Sequence, residues 1–171
     1  MAAWSVRPSA EKDWQAYRAL RFEMLEDTPI AFLETLEQAR NHPDSHWKGR
    51  AANSSESSRL FAAVDDDGRW LGSMGGFQAT GAAHPYLVGV YVTPRYRGRA
   101  QGVTDALLDA VIAWAAERSD TLLLQVHEGN AGARRLYRRR GFRETGRTDP
   151  YPLDRSALEI EMALDLRTAG A

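Results

Sequence analysis

The chain of 171 residues contains no cysteine. That absence excludes disulfides, thiolate metal sites and a cysteine nucleophile, and with them several reaction classes. Long apolar runs are missing too. Met1 to Lys12 mixes Arg7, Glu11 and Lys12 into a short apolar stretch and never builds the core of a signal peptide, and no later segment has the length and apolarity of a bilayer-spanning helix. A cytoplasmic protein without a membrane partner is the expectation. Nor is there a surplus of one charge: 22 Lys and Arg stand against 23 Asp and Glu, a formal net charge of -1. Such a balance argues against a surface devoted to nucleic acid. Internal repeats, low-complexity blocks and linkers are lacking as well.

Hydrophobic residues make up 43% and charged residues 26% of the chain, the profile of a soluble globular protein. At this length one domain with a substantial core is expected, drawn here over residues 3–166, with 167–171 as a loose tail. The arginines are clustered. Arg95, Arg97 and Arg99 form one group and Arg134, Arg135, Arg138, Arg139 and Arg140 another, so a small polyanionic ligand stays plausible despite the neutral balance.

Hydrophobic spacing sets out the elements. Trp4 to Arg7 reads as a short strand ended by Pro8, with Ser9 a weak cap for the helix that follows. Trp14, Tyr17, Leu20, Arg21 and Met24 recur at helical spacing, and Pro29 should stop that helix. Ala31 to Arg50 reads as a second helical region, broken near Asn41-His42-Pro43-Asp44. Asn53 to Ser58 is a loop. Leu60 to Val64 and Trp70 to Phe77 make a hairpin about an Asp-Gly turn, and Tyr86 to Val92 is a strand. Val103, Ala106, Leu107, Ala110, Val111 and Trp114 share a helix face opposite Asp105 and Asp109. Thr121 to Val126 is a buried strand. Asn130 caps a helix whose inner face is Ala133, Leu136 and Tyr137 and whose C-terminal stop is Gly141. Phe142 to Arg147 and Ala157 to Leu166 finish as strands.

One stretch carries chemistry. Val90 to Val92 runs an apolar strand into Thr93-Pro94-Arg95-Tyr96-Arg97-Gly98-Arg99-Ala100-Gln101-Gly102, and then into the helix from Val103-Thr104. Pro94 lacks an amide hydrogen and should leave the sheet there. Glycine lets backbone approach a ligand closely, and the first amides of a helix have no intrahelical acceptor, so this is an anion site in the making.

That stretch, together with Leu124-Gln125-Val126-His127-Glu128-Gly129-Asn130 and Leu136-Tyr137 through Gly141-Phe142, resembles the GNAT superfamily of acetyl-CoA-dependent N-acetyltransferases. Element order agrees over nearly the whole chain. The resemblance implies an α/β (α+β) fold: a central mixed, mostly antiparallel sheet of about six to seven strands flanked by about four helices. It also implies an acyltransferase with acetyl-CoA as co-substrate and an amine acceptor, and no metal. The family's phosphate loop reads Arg or Gln, two residues, Gly, one residue, Gly or Ala. Counting from Arg97 gives Ala100 and Gly102, and counting from Arg99 gives Gly102 and Thr104. The second reading matches the helix spacing better.

On that resemblance, Tyr91, Val92 and Thr93 lie along the pantetheine arm, with a backbone amide near Val92 aimed at the thioester oxygen. Arg97, Gly98, Arg99, Ala100, Gln101, Gly102, Val103 and Thr104 hold the pyrophosphate. Tyr137 lies about two helical turns beyond Asn130, so both can face one ligand. Asn130 is expected to fix the arm and Tyr137 to touch the cofactor and donate a proton to the departing thiolate, since a phenol with a reference pKa near 10 is protonated at neutral pH. Half-buried packing for Tyr137 and simple capping for Asn130 are the plainer alternatives. For the general base Glu128 is the first choice, with His127, Glu159, Glu161 and His84 also open.

The acceptor pocket is expected from the first two helices and the hairpin, where Glu23, Glu26, Asp27, Glu34 and Glu37 would favour a cationic amine if they lined it. Small molecules and peptides both remain possible acceptors. A non-catalytic acyl-CoA-binding or regulatory module is the alternative function, a nucleic-acid-binding protein a more distant one, and a homodimer a possible assembly.

Overall fold

The computed structural model describes residues 3–168. Residues 169–171 of the expected tail lie outside them. A seven-stranded sheet runs through the molecule in the order β1-β2-β3-β4-β5-β7-β6. Its strands are β1 (Trp4–Pro8), β2 (Ser58–Asp65), β3 (Trp70–Phe77), β4 (Tyr86–Val92), β5 (Thr121–His127), β6 (Arg143–Tyr151) and β7 (Asp154–Asp165). Every neighbouring pair is antiparallel except β4 and β5. The five α-helices are α1 (Trp14–Asp27), α2 (Leu36–Arg40), α3 (Asp44–Ala51), α4 (Val103–Ala116) and α5 (Ala131–Arg139). The mixed, mostly antiparallel sheet is as expected, with one helix more than anticipated.

Strand alternation sorts side chains into two cores. Ala62, Val64, Trp70 and Tyr91 join Tyr17, Leu20 and Met24 of α1 and Trp47 of α3 on one face. Ala63, Leu71, Met74 and Val92 join Val103, Leu107, Val111 and Trp114 of α4 on the other, together with Leu122, Leu124 and Tyr137. The apolar stripe of α4 is therefore core, as its spacing indicates.

Three local expectations are corrected. The break near residues 41–44 is present, α2 ending at Arg40 and α3 starting at Asp44, but the region does not begin helical: Pro29–Ala31 is a 3-10 turn, and α2 begins only where the Thr35 hydroxyl accepts from the Gln38 amide and the Gln38 side chain accepts from the Thr35 amide. Ser9 caps nothing, because its hydroxyl donates to the Ala51 carbonyl at 2.8 Å, and Asp13 instead holds the Ala10 amide while pairing with Arg7. The last hairpin is longer than its hydrophobic residues suggest: exposed Thr148 and half-buried Asp149 of β6 still pair with Ile160 and Glu159 of β7.

The sheet opens at β4. Its only registered partner on β5 is Tyr86 with Leu123, so the rest of that edge of β4 has no ladder on this side. On the other side the register slips: Ser73 pairs with Tyr91 and Gly75 with Val88, three residues of β4 advancing against two of β3. Gly89 takes up this bulge at φ +60°, a backbone region that side chains disfavour.

Candidate functional site

Two adjoining cavities occupy the opening. The first, about 470 Å³, is lined by Val90, Tyr91 and Val92 of β4, by Arg97, Gly98, Arg99 and Thr104, and by one face of α5. Chain order explains it. Pro94–Tyr96 forms a 3-10 turn that takes the chain out of the sheet, and Gly102 at φ +72° starts α4 in the left-handed conformation. Thr104, in the first turn of α4 where amides lack intrahelical acceptors, and the unladdered edge of β4 thus border one cleft.

The site residues expected along this cleft divide. Tyr91, Val92, Arg97, Gly98, Arg99, Thr104 and Asn130 line it. Thr93, Ala100, Gln101, Gly102 and Val103 do not: the Thr93 amide bonds the Leu71 carbonyl at 2.8 Å, and the Val103 side chain is fully buried core. The Tyr91 ring is buried on the far side, where its hydroxyl donates to Glu23 and Asp27, both at 3.1 Å. Arg97 is tied inward, its Nε donating to the Val92 carbonyl at 2.7 Å and its other end pairing with Asp27. Arg97 and the Tyr91 hydroxyl hold the Asp27 carboxyl below its usual range. Arg99 is exposed and has no ion-pair partner among the described residues.

The second arginine group is mostly paired within the protein. Arg134 and Arg138 meet Glu144 at 3.0 and 2.6 Å, Arg139 and Arg140 meet Asp105 at 2.9 and 2.8 Å, and Arg140 also pairs with Asp109. Arg135 alone of the five has no ion-pair partner among the described residues, and it and Arg139 line the cleft.

The second cavity, about 730 Å³, shares Ala31, Val90, Asn130, Ala133 and Leu136 with the first, so the two adjoin along a common wall. Tyr137 lines this one rather than the cleft. Burial pushes its phenol well above the ordinary value. Asn130 does cap α5, accepting from the Ala133 amide at 3.1 Å, and it borders both cavities. Asn130 and Tyr137 are thus brought to one space, as their spacing implies.

Among the possible bases the geometry is selective. Glu128 is exposed, lines neither cavity, and accepts the Leu158 amide at 2.9 Å. Both carboxylate oxygens of Glu161 are engaged, by the hydroxyls of Tyr86 and Thr145 at 3.1 and 2.9 Å. His84 bonds Ser119 at 2.8 Å, away from both cavities. His127 lines the second cavity, but its Nδ1 accepts the Gly129 amide at 2.9 Å, so its neutral ring carries hydrogen on Nε2 and offers a donor. Glu159, cross-strand from His127, lines the cavity, makes no side-chain hydrogen bond among the described residues and is 9% exposed. Burial and the charge of Asp149 raise its carboxyl above the usual range, partly offset by His127.

The acids of the first helices contribute little to this lining. Of the five acids only Glu34 lines the cavity, held by Arg21 at 3.0 Å and His42 at 2.5 Å. Glu23 and Asp27 hold Tyr91, Glu26 faces Arg40 at 3.4 Å on the surface, and Glu37 is exposed. Sequence reasoning missed Ser73, His42, His46 and Arg50, which line this cavity from β3 and the α2–α3 region. No local pattern marks them. Gly132, Arg135, Leu136 and Arg139 share one face of α5 by their spacing of three, four and seven residues, and that face lines the cleft.

An open strand edge, a glycine turn into a helix and a capped helix beside them define an acyl-CoA transferase architecture. Residues 14–142 match the Acetyltransferase (GNAT) family, and the chain belongs to it. It is 27% identical over 151 residues to an L-amino acid N-acetyltransferase of Escherichia coli (strain K12), covering 86% of this chain and 88% of that protein. It is also similar to a GCN5-related N-acetyltransferase from Kribbella flavida, with TM-score 0.72 and 26% identity over 95% of this chain and 98% of the other. YncA from Salmonella typhimurium, solved with its cofactor acetyl-CoA, shares the fold at TM-score 0.76 and 18% identity over 96% and 95% of the two chains.

As a member of this family the chain is an N-acetyltransferase with acetyl-CoA as co-substrate. The cleft offers features that suit that molecule: an unladdered strand edge, and Arg99 and Arg135 without ion-pair partners among the described residues. A side chain added at Gly98 or Gly132 would meet nothing within 4 Å, so both leave open room along the lining. Among the described residues no helix is long and apolar enough to cross a membrane, and no group of three His, Asp or Glu residues is arranged to hold a metal ion.

Proposed function

We propose that this enzyme acetylates a primary amine of a small molecule or peptide by direct attack in a ternary complex, with Glu159 as general base and Tyr137 as proton donor to the departing thiolate. The observation that carries this reading is that the two cavities adjoin through shared lining residues, with Tyr137 and Glu159 both on the second. The catalytic unit is taken as residues 3–166.

Acetyl-CoA supplies an acyl group activated as a thioester. The chain's part begins with the amine, which must lose a proton to become nucleophilic; the unbonded Glu159 carboxylate accepts it, and its raised pKa brings it nearer the operating pH. Backbone amides near Val92, at the unpaired edge of β4, polarise the carbonyl. Tyr137 then gives its phenolic proton to sulfur. Burial raises the phenol, but burial also disfavours the thiolate, so donor and acceptor shift in the same sense. For the pyrophosphate, the count from Arg99 is favoured: it sets Gly102, Val103 and Thr104 at the start of α4, where amides are free, and Arg97 already has internal partners.

Initial-rate kinetics with both substrates varied test the reading. Intersecting reciprocal plots are expected from a ternary complex, and parallel plots would replace it with a covalent acyl-enzyme. Saturable acetyl-CoA binding with no transfer to any amine would instead favour an acyl-CoA-binding module. A homodimer is also carried forward, and a single sedimenting species of monomer mass across concentrations would end that idea.

A further inference from the structure

The acceptor cavity has a polar wall that the transfer chemistry leaves unused. Arg50 and His46 of α3 line it with His42 and with Arg21 of α1. Arg21 is neutralised by Glu34, which also holds His42. His42 and His46 stack with ring centres 3.8 Å apart, and His46 meets the Trp47 ring edge-on at 4.9 Å, so the pair is fixed. Arg50 is exposed to the cavity and has no ion-pair partner among the described residues. The field on this wall is positive. Desolvation lowers the His46 pKa, and His42, Arg50 and Arg21 add to that against Glu34 alone.

Ser73 is a further polar residue of this wall. Ser73 is 1% exposed, its hydroxyl has no hydrogen-bond partner, and it lines the same space. Buried hydroxyls are nearly always satisfied, and this one lies behind the cavity surface without a partner among the described residues. Between these polar points the rim is apolar: Leu33, Phe77 and Val88 remain 55%, 42% and 40% exposed.

Building on the proposed transfer reaction, we infer that the acceptor is an amine that also carries a carboxylate, with the carboxylate held by Arg50 beside His46 and the amine directed to Glu159. Guanidinium matches a carboxylate's two oxygens in one plane, and such charge-assisted bonds are about twice as strong as neutral ones. With Arg21 paired to Glu34, Arg50 is the cation of this wall left without an ion-pair partner among the described residues, and it discriminates by charge: removing the carboxylate from the acceptor leaves Arg50 with nothing to meet. The cavity volume of about 730 Å³ leaves space for an apolar side chain between the two charged ends.

The test uses the full chain with acetyl-CoA and matched acceptors: L-leucine and L-tryptophan, each beside its carboxamide and its decarboxylated amine. Wild type is expected to prefer the carboxylate form by at least about tenfold in kcat/KM. Arg50→Gln should raise the KM for that form about tenfold, with kcat within about twofold and the KM for acetyl-CoA unchanged, and should close the gap to the carboxamide. Arg50→Lys should recover part of the loss. Transfer to the decarboxylated amines as good as or better than to the amino acids overturns the inference and leaves the transfer reaction standing, and so does an Arg50→Gln enzyme with an unchanged KM. No transfer to any acceptor while acetyl-CoA binds overturns both.

Discussion

The two cavities meet at a common wall, yet they are built in different ways. The acyl-CoA cleft comes largely from a strand end, the turn after it, the start of α4 and one face of α5, all within residues 90–139, and its working parts are backbone and glycine. The acceptor cavity draws its lining from α1, the α2–α3 region, β2, β3, β4, β5, α5 and β7, and its working parts are side chains. A backbone-built cleft keeps its ligand through wide changes of sequence, because amides are present whatever the side chain. A side-chain cavity is re-specified by one substitution. Changes on the acceptor side should therefore act on turnover or acceptor choice, and changes on the cofactor side on acetyl-CoA affinity.

The largest expected effect lies on the acceptor side. Glu159→Gln keeps size and removes the base, so kcat should fall about a hundredfold while the KM for acetyl-CoA stays within about twofold. The pH profile gives the same test with a sign. The base works ionised, and burial raises its carboxyl above the ordinary value, so in wild type kcat/KM should decline as pH drops through that raised value. In Glu159→Gln this acid limb should vanish, and a variant that keeps it would place the base elsewhere. Tyr137→Phe, at the shared wall, should lower turnover at least about tenfold with cofactor affinity near wild type. Unchanged turnover would leave Tyr137 as packing against Phe142, which its ring meets at 5.7 Å.

This contrast also governs what was legible in the sequence. β4 was readable to the residue, and α4 from its first residue, because Pro94, Gly98 and Gly102 are local signals with local causes. Asn130 and Tyr137 were readable because helical spacing alone brings them to one side. Residues 31–35 were misread because capping at Thr35, rather than apolar spacing, decides where α2 begins. Glu159 could not be separated from Glu161 by alternation, since both point to one face. Only the long-range hydroxyls of Tyr86 and Thr145, which engage Glu161, single out its neighbour. The neutralised Glu34 was equally out of reach, because its partners Arg21 and His42 lie 13 and 8 residues away.

On the cofactor side the expected effects are smaller and fall on affinity. At Gly102 an added Cβ would find Trp4 at an ordinary 3.8 Å, so the cost of Gly102→Ala is conformational: holding φ +72° with a side chain costs about 1 kcal/mol. The KM for acetyl-CoA should rise about fivefold while the KM for the amine stays unchanged, as steady-state kinetics with each substrate varied will show. An equal rise in both would mean that this turn also shapes the acceptor cavity and would blur the division.

The smallest effect is expected at Glu128, and it bears directly on which carboxylate serves as base. Glu128 stands one residue after β5, beside the opening by sequence, yet its Oε1 accepts the Leu158 amide and it lines neither cavity. Glu128→Gln retains an oxygen for that amide, so the β5–β7 pairing next to it should survive with a stability change of about 0.5 kcal/mol or less. Turnover should stay within about twofold across pH, in contrast to Glu159→Gln. A loss of about tenfold or more at unchanged stability would move the proton acceptor from the strand to the loop before α5. The base would then belong to the same short stretch of chain as the cofactor cleft, and the acceptor cavity would keep only recognition.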